Sequence, residues 1–214
     1  MSSKPKGRVL IIAGSDSGGG AGIQADIKTV SALGGFAMTA VTAVTVQNTL
    51  GVTGVHAIPP ETVRAQIEAV MSDLGADTWK IGMMGSADHV RAVMDAWYAV
   101  GDGAPVILDP VMIAKGGASL LEEEAIAVIR DELMPVAAMV TPNAPEAEAL
   151  TGVSVRDLNG QMDAADVLVN RLGAWSALVK GGHIHGATVR DVLLTRDGYR
   201  VLESPRIDTK ATHG

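Results

Sequence analysis

Gly14-Ser-Asp-Ser-Gly-Gly-Gly-Ala-Gly-Ile-Gln-Ala-Asp26 decides the fold, because its five glycines lie between a predicted buried strand and a predicted helix. The preceding run, Arg8–Ala13, is short, apolar and rich in β-branched residues, which indicates a parallel strand buried on both faces. From Ile23 to Leu33, hydrophobic residues recur at helical spacing. A turn with so many glycines allows the backbone to approach a ligand closely.

Asp26 is the unexpected residue of this predicted helix. With about 100° of rotation per residue, it falls between Val30 and Leu33, inside the apolar stripe that should face the protein. A carboxylate is unfavourable there unless another group hydrogen-bonds it. Asp26 is therefore either an acid that is solvated or paired at a domain edge, or a ligand contact, which the adjacent glycines favour. The glycines match neither a Walker loop nor Gly-x-Gly-x-x-Gly, so they identify no nucleotide by themselves.

The composition indicates one globular domain. Of the 214 residues, 47% are hydrophobic and 19% are charged, so we predict a single domain over residues 8–214 after a disordered tail over residues 1–7. The net charge of −7 and the absence of a basic cluster argue against nucleic acid as a partner. No signal peptide is visible, and no apolar run approaches the roughly 20 residues of a membrane span, so we expect a cytoplasmic protein with no membrane partner.

Strand and helix patterns alternate along the chain, which predicts an α/β domain with a mostly parallel sheet. The predicted strands are Arg8–Ala13, Ala40–Val46, Trp79–Met83, Pro105–Asp109, Ala138–Thr141 and Ser176–Lys180. After the helix that follows the glycine turn, further helices are predicted over residues 63–74, 90–97, 125–133 and 164–172. Pro60 suits the first turn of one of them, and Ser86 suits the N-cap of another.

Polar and glycine-rich segments follow all six predicted strands. They are the glycine turn, Gln47-Asn48, Gly82-Met-Met-Gly85, Asp109-Pro110, Thr141-Pro-Asn143 with Glu146, and Lys180-Gly-Gly182. Ligands bind at the carboxyl ends of the strands in open parallel sheets. We therefore predict one broad active-site edge.

One group of these residues suits phosphoryl transfer. Asp109, Asn143 and Glu146 supply oxygen atoms of the kind that Mg²⁺ accepts, and Mg²⁺ favours phosphate oxygens as further ligands. Lys180 can bring its ammonium to a phosphate, so the set matches what phosphoryl transfer requires. Structural roles are the alternative: Glu146 as a first-turn acid, Asn143 as the cap of that helix, and Asp109 as the start of a turn.

A second group suits a small flat ligand. The amide of Gln47 both donates and accepts, and the carboxylate of Asp26 accepts, which matches the edge of a heterocycle bearing an exocyclic amine. Met83 and Met84 offer adaptable apolar surface to a flat ring, although methionine more often packs in a core.

Seven segments carry a family resemblance in chain order. They are Ala13–Asp26, Gln47–Thr49, Lys80–Met84, Leu108–Met112, Thr141–Glu146, Lys180–His183 and Thr209–Gly214. Together they resemble hydroxymethylpyrimidine/phosphomethylpyrimidine kinases, and the resemblance runs from Arg8 to the last residue. It implies a ribokinase-like α/β fold with helices on both faces of the sheet, and a homodimer is expected. It also implies two successive ATP-dependent phosphorylations that yield the pyrimidine diphosphate used in thiamine synthesis.

The resemblance also assigns roles to individual residues. It implies that the residues around the pyrimidine are Gly14, Asp26, Thr45, Gln47, Met83 and Val111. It implies that the residues serving Mg²⁺ and the ATP phosphates are Asp109 and Glu146 as metal ligands, with Asn143, Lys180 and Gly214 at the phosphates.

The chain departs from the family pattern at two places. Where the family often has Asp-Pro-Ser-Gly-Gly, this chain has Asp16-Ser-Gly-Gly-Gly20, so the turn loses a φ restraint and is expected to be more mobile. In the family, Thr-His-Gly is normally followed by Thr-Gly-Cys and a helix, which would form the anion hole and supply the catalytic thiol. The sequence stops at Gly214, so we expect the catalytic residue just beyond it, in an incomplete record of a full-length enzyme.

Two other functions stay open from the sequence. The first is a pyridoxal kinase of the same superfamily, which would act on a pyridine; Asp26 together with Gln47-Asn48 favours the pyrimidine enzyme. The second is a non-catalytic pyrimidine-binding remnant without kinase activity.

Overall fold

The computed structural model describes residues 5–112 and 123–207, and these form nine strands and six α-helices. The strands are β1 (Arg8–Asp16), β2 (Phe36–Asn48), β3 (Gly51–Ala57), β4 (Thr78–Ile81), β5 (Val106–Leu108), β6 (Ala137–Val140), β7 (Ala177–Val179), β8 (Thr188–Thr195) and β9 (Gly198–Pro205). The helices are α1 (Gly22–Ala32), α2 (Pro60–Asp73), α3 (Ala87–Val100), α4 (Glu123–Val128), α5 (Ala144–Thr151) and α6 (Leu158–Asp166). Wider π-helical turns extend α4 over Ile129–Leu133 and α6 over Val167–Arg171.

All nine strands form one sheet in the order β3-β2-β1-β4-β5-β6-β7-β8-β9. The six central strands are β2, β1, β4, β5, β6 and β7, and they run parallel to one another. The three remaining strands, β3 at one edge and β8 and β9 at the other, pair antiparallel. The predicted α/β class with a mostly parallel sheet is confirmed, and all six predicted strands belong to the parallel part.

The middle of the sheet is covered on both faces. Leu10, Ile11 and Ile12 point alternately to opposite faces of β1, and all three are fully buried. Strand β4 places the fully buried Trp79 and Ile81 in the same hydrophobic cluster as Leu10 and Ile12. The apolar run before the glycine turn was therefore correctly predicted as a strand buried on both sides.

Two predicted helix starts are also confirmed. Helix α2 begins at Pro60, as predicted, because proline needs no hydrogen-bond acceptor in the first turn. Ser86 is the N-cap of α3, and its hydroxyl accepts from the amide of His89. The buried His89 side chain is satisfied at both ring nitrogens, with Nδ1 2.8 Å from Ser86 Oγ and Nε2 2.7 Å from the carbonyl oxygen of Ile58.

The three antiparallel strands were not predicted. Strand β3 contains two glycines and is mostly exposed, so it lacks the alternation of a half-buried strand. The β8–β9 hairpin did carry a local signal, the dipeptide Asp197-Gly198, and Gly198 adopts a φ of +102°. Strand β2 is also longer than predicted, since it begins at Phe36 and ends at Asn48.

Several expectations lie partly or wholly outside the described residues. They concern residues 1–4 of the predicted tail and residues 208–214, which include Gly214. Lys6 and Gly7 are described, and they hydrogen-bond to Gly34 and Phe36 through the backbone. Within the two described ranges, no helix is long and apolar enough to cross a membrane.

Candidate active site

The glycine loop after β1 is organised around the carboxylate of Asp16, which is almost fully buried. Asp16 Oδ1 accepts from the amide of Gly18 at 2.7 Å, and Oδ2 accepts from the amides of Gly20 and Ala21 at 3.0 and 2.8 Å. Ala21, the N-cap of α1, has no side-chain cap of its own, so Asp16 satisfies the helix start from across the loop. Sequence reasoning assigned no role to Asp16, although an aspartate before a glycine run is a turn signal.

Two glycines permit close approaches within this loop. Gly22 has a φ of +55°, and a Cβ atom there would overlap the carbonyl oxygen of Gly14. A Cβ atom on Gly14 would in turn overlap the terminal methyl of Met83, so these two predicted pyrimidine-side residues are in contact. The Met83 backbone is fixed by the Thr42 hydroxyl, which donates to the Met83 carbonyl oxygen at 2.6 Å.

The end of β2 brings Thr45 and Gln47 to the same loop. Thr45 Oγ1 is buried and lies 2.9 Å from the carbonyl oxygen of Ser15 and 3.2 Å from Gln47 Oε1. Ser17 Oγ donates to the Gln47 carbonyl oxygen at 2.7 Å and accepts from the Gln47 amide at 2.9 Å. The turn at Ser17 is therefore restrained by side-chain hydrogen bonds.

Asp26 is not an isolated acid, because Lys80 Nζ on β4 lies 2.8 Å from Asp26 Oδ2. The two side chains are equally exposed, at 22%. A Cβ atom on Gly82 would lie 2.9 Å from the same ammonium, so the ion pair is beside the turn that follows β4. Asp26 is therefore paired, as the first of its two interpretations expects. A contact between Asp26 and a pyrimidine stays a prediction.

The apolar stripe of α1 is covered less than the sequence indicates. None of the residues of α1 is fully buried. Leu33, which ends the stripe, is 67% exposed. The expectation that this whole stripe faces the protein core was therefore wrong, since its last residue lies on the surface.

The ends of β5, β6 and β7 bring a second group together. Lys180 Nζ lies 2.9 Å from Asp109 Oδ1, and the Thr141 hydroxyl lies 3.1 Å from the same oxygen. Asn143 and Lys180 form a parallel β-bridge, which extends the β6–β7 pairing past the ends of both strands. Val111 lies close to this group in the chain, and its amide donates to the Asp109 carbonyl oxygen at 2.8 Å.

Asn143 and Glu146 form a reciprocal capping box at the start of α5. Asn143 Oδ1 accepts from the Glu146 amide at 3.0 Å, and Glu146 Oε2 accepts from the Asn143 amide at 2.8 Å. The structural alternative considered for both residues is therefore present. Burial raises the pKa of Glu146, and the nearby Asp109 raises it further, whereas the Asn143 amide and the Lys180 ammonium oppose the rise.

The donor set is consistent with a magnesium ion held jointly by protein and phosphate. Mg²⁺ typically takes one or two carboxylates from the protein and completes its shell with water and phosphate oxygens. Asp109 and Glu146 are two carboxylates close enough to interact electrostatically. In the part of the chain that the structure describes, no group of three or more acidic, histidine or cysteine side chains forms a complete metal cage.

Sequence comparisons identify the family. Residues 16–214 match the family model described as phosphomethylpyrimidine kinase. The hydroxymethylpyrimidine/phosphomethylpyrimidine kinase of Haemophilus influenzae is 48% identical over 97% of this chain and 78% of its own length. The enzyme of the same name from Bacillus subtilis is 49% identical over 97% of this chain and 76% of its length. The bifunctional thiamine biosynthesis protein ThiED of Geobacter sulfurreducens is 47% identical, and the chain spans 42% of it.

Solved structures agree with this assignment. The phosphomethylpyrimidine kinase of Clostridium difficile 630 has a TM-score of 0.83 and 38% identity, and the match covers 92% of this chain and 84% of that chain. The pyridoxal kinase of Staphylococcus aureus, solved with pyridoxal, has a TM-score of 0.86 and 28% identity over 96% of this chain and 74% of that chain. Both structures match the backbone of this chain about equally well, so the two families are distinguished by sequence identity. The chain belongs to the phosphomethylpyrimidine kinase family.

Proposed function

We propose that this protein phosphorylates hydroxymethylpyrimidine and then its monophosphate, with ATP as the phosphoryl donor, in thiamine synthesis. The observation that carries the proposal is the arrangement of two groups along one sheet edge. The pyrimidine-side residues, apart from Val111, lie at the ends of β2 and β1, on α1 and after β4. The phosphate-side residues in the described ranges follow β5, β6 and β7, the next strands in the sheet. An acceptor and a phosphoryl donor bound there would lie side by side, as phosphoryl transfer requires.

On the acceptor side, four residues supply complementary surface and chemistry. Gly14 brings the backbone against Met83, whose thioether side chain offers adaptable apolar surface to a flat ring. Gln47 provides both a donor and an acceptor, which match the ring nitrogen and exocyclic amine of an aminopyrimidine. Asp26, although paired with Lys80, retains lone pairs that can accept from an amine.

On the donor side, Lys180 and Asp109 hold each other in place. When a polyphosphate enters, the Lys180 ammonium can bond its oxygens, since charge-assisted contacts of this kind are strong. Asp109 and Glu146 would hold Mg²⁺, with Asn143 and Gly214 at the phosphates. The ion would neutralise charge on the phosphate oxygens.

The comparisons support ATP as the co-substrate. The pyridoxal kinase of Staphylococcus aureus was solved with AMP-PCP and pyridoxal together, and it has a TM-score of 0.85 to this chain. That likeness also favours a second candidate, phosphorylation of pyridoxal. The pyrimidine remains the first candidate because the phosphomethylpyrimidine kinase of Clostridium difficile is 38% identical, against 28% for the pyridoxal kinase of Staphylococcus aureus and 33% for that of Bacillus subtilis.

A homodimer and a cytoplasmic location complete the proposal, with residues 8–214 as one domain. The β2–β3 hairpin supports a dimer, because Val46, Leu50 and Val55 leave apolar surface exposed there. Light scattering on the purified protein tests this part: a mass of two chains agrees with it, and a mass of one chain contradicts it.

Product analysis tests the reaction. The full-length protein is incubated with hydroxymethylpyrimidine, ATP and Mg²⁺, and the products are identified by mass spectrometry. We expect the monophosphate first and the diphosphate later. A protein that binds the pyrimidine and forms neither product would be the non-catalytic binder.

A further inference from the structure

Ser17 occupies the second position of a tight turn in the glycine loop. The amide of Gly19 donates to the carbonyl oxygen of Asp16 at 3.0 Å, so residues 16–19 form a β-turn. Proline is favoured at the second position of such turns because it presets φ. Serine provides no such restraint through its backbone.

The Ser17 side chain instead bonds both backbone groups of one distant residue. Its hydroxyl donates to the Gln47 carbonyl oxygen at 2.7 Å and accepts from the Gln47 amide at 2.9 Å. One short side chain thus connects the loop after β1 to the end of β2. Proline can form neither of these hydrogen bonds, since it has no hydroxyl.

Gln47 lies at an irregular part of the strand pairing, where it has no partner residue on the β1 side. The β1–β2 register ends at Asp16 and Thr45, two residues before Gln47. On the other side, the β2–β3 register shifts between Val46 and Gln47, and past this shift Gln47 pairs with Val52. Such irregularities redirect side chains, so the direction of the Gln47 side-chain carboxamide, whose Oε1 lies 3.2 Å from Thr45 Oγ1, also depends on what fixes the Gln47 backbone.

The loop that carries Ser17 is itself well anchored. The Asp16 carboxylate accepts three amides of the loop, and the Asp16 amide donates to Gln24 Oε1 at 2.8 Å. Ser17 therefore connects Gln47 to a rigid support. Groups that are held in place before a ligand arrives bind it with a smaller loss of conformational entropy.

We propose that Ser17 is a positioning residue for pyrimidine recognition. By bonding both backbone groups of Gln47, it fixes the direction in which the side-chain carboxamide of Gln47 meets the edge of an aminopyrimidine. Ser17 acts through Gln47. This inference rests on the proposed function, because it takes the pyrimidine as the ligand of Gln47.

The test is calorimetric binding of hydroxymethylpyrimidine to the full chain and its variants. Ser17→Ala should weaken the affinity by roughly five-fold, the size of one net hydrogen bond. Ser17→Pro should weaken it similarly, since it restores the turn restraint without the hydroxyl, and Ser17→Thr should retain it. The exposed Ser31 on α1 supplies the control Ser31→Ala, which should leave the affinity unchanged.

A double-mutant cycle shows whether Ser17 acts through Gln47. In a Gln47→Ala background, Ser17→Ala should cause no further loss, because the side chain that Ser17 positions is gone. An equal loss in both backgrounds would overturn the proposal, as would a Ser17→Pro variant that binds as well as the wild type.

Amide hydrogen exchange on the wild type supplies a test that needs neither a variant nor pyrimidine binding. The backbone N–H of Gln47 should be protected by its bond to Ser17, and rapid exchange of this N–H would contradict the proposal. If the wild type binds no pyrimidine, the proposed function fails, and the exchange result still decides whether Ser17 holds Gln47.

Discussion

Lys80 Nζ on β4 lies 2.8 Å from Asp26 Oδ2 on α1, and this ion pair explains how an acid can occupy the apolar stripe of α1. At 22% exposure, neither side chain is fully solvated or fully buried. Removing one partner therefore leaves a partly desolvated charge without its counterion, which is more harmful than breaking a surface pair.

Asp26→Asn should weaken binding of hydroxymethylpyrimidine by about 1–3 kcal/mol, because a charged hydrogen-bond acceptor is lost. The measurement is calorimetric titration, with thermal unfolding to confirm that the variant is folded. Glu68→Gln is the control, since it breaks the exposed pair between Arg64 and Glu68 on α2. An unchanged pyrimidine affinity in folded Asp26→Asn would remove Asp26 from the ligand site.

Gly22→Ala should destabilise the protein strongly. The residue has a φ of +55°, and the added Cβ atom would overlap the carbonyl oxygen of Gly14. Gly152→Ala is a matched control, since Gly152 has a φ of +73° with no atom within 4 Å of the added Cβ. The free energy of unfolding of the control should fall by about 1–2 kcal/mol, because alanine is strained at this φ. Gly22→Ala should lose about 1–3 kcal/mol more, from overpacking. Equal losses in urea unfolding would contradict the close approach of Gly22 to Gly14.

The raised pKa of Glu146, caused mainly by burial, predicts a pH dependence of stability. The folded state keeps this proton to a higher pH than the unfolded chain does. Stability should therefore fall as the pH rises from the ordinary value of 4.5 through the raised folded pKa, and remain lower above it. Glu146→Gln retains an acceptor for the capping box and removes the titration, so it should abolish this decrease.

Thermal unfolding without added metal measures this effect across the pH range. Glu61→Gln, at an exposed first-turn acid of α2, controls for the loss of one negative charge. If wild type and Glu146→Gln showed the same pH profile, the buried carboxyl would not be the cause.

Arg206→Lys should loosen the loop that follows Lys180. The Arg206 guanidinium donates to the carbonyl oxygens of Gly182 at 2.9 Å, of Gly186 at 2.7 Å, and of Ile184. A lysine ammonium cannot reproduce this planar set of contacts. We expect faster amide exchange over residues 182–186, with Arg200→Lys on β9 as the control. Unchanged exchange in Arg206→Lys would show that these bonds do not hold the loop.

The sequence predicted the parallel part of the fold because buried parallel strands leave a local trace. Runs such as Arg8–Ala13 are apolar and β-branched, and chemically distinctive residues follow each strand end. The starts of two helices could also be predicted, since Pro60 and Ser86 act within one helical turn of their own position.

The contacts missed by the sequence analysis join residues that are far apart in the chain. Asp26 and Lys80 are 54 residues apart, and Ser17 and Gln47 are 30 apart. The first contact depends on how α1 packs against the sheet and the second on how the loop after β1 lies beside β2, and no local pattern specifies either. The edge strand β3 was missed for another reason, because a mostly exposed strand carries no hydrophobic alternation.

The most direct test compares kcat/KM of the full-length protein for hydroxymethylpyrimidine and for pyridoxal, with ATP and Mg²⁺ saturating. Both ligands are flat rings with a hydroxymethyl group, so the comparison isolates recognition of the aminopyrimidine edge by the residues after β1 and β2. We predict that hydroxymethylpyrimidine is phosphorylated with the much higher kcat/KM. A higher kcat/KM for pyridoxal would contradict the assignment.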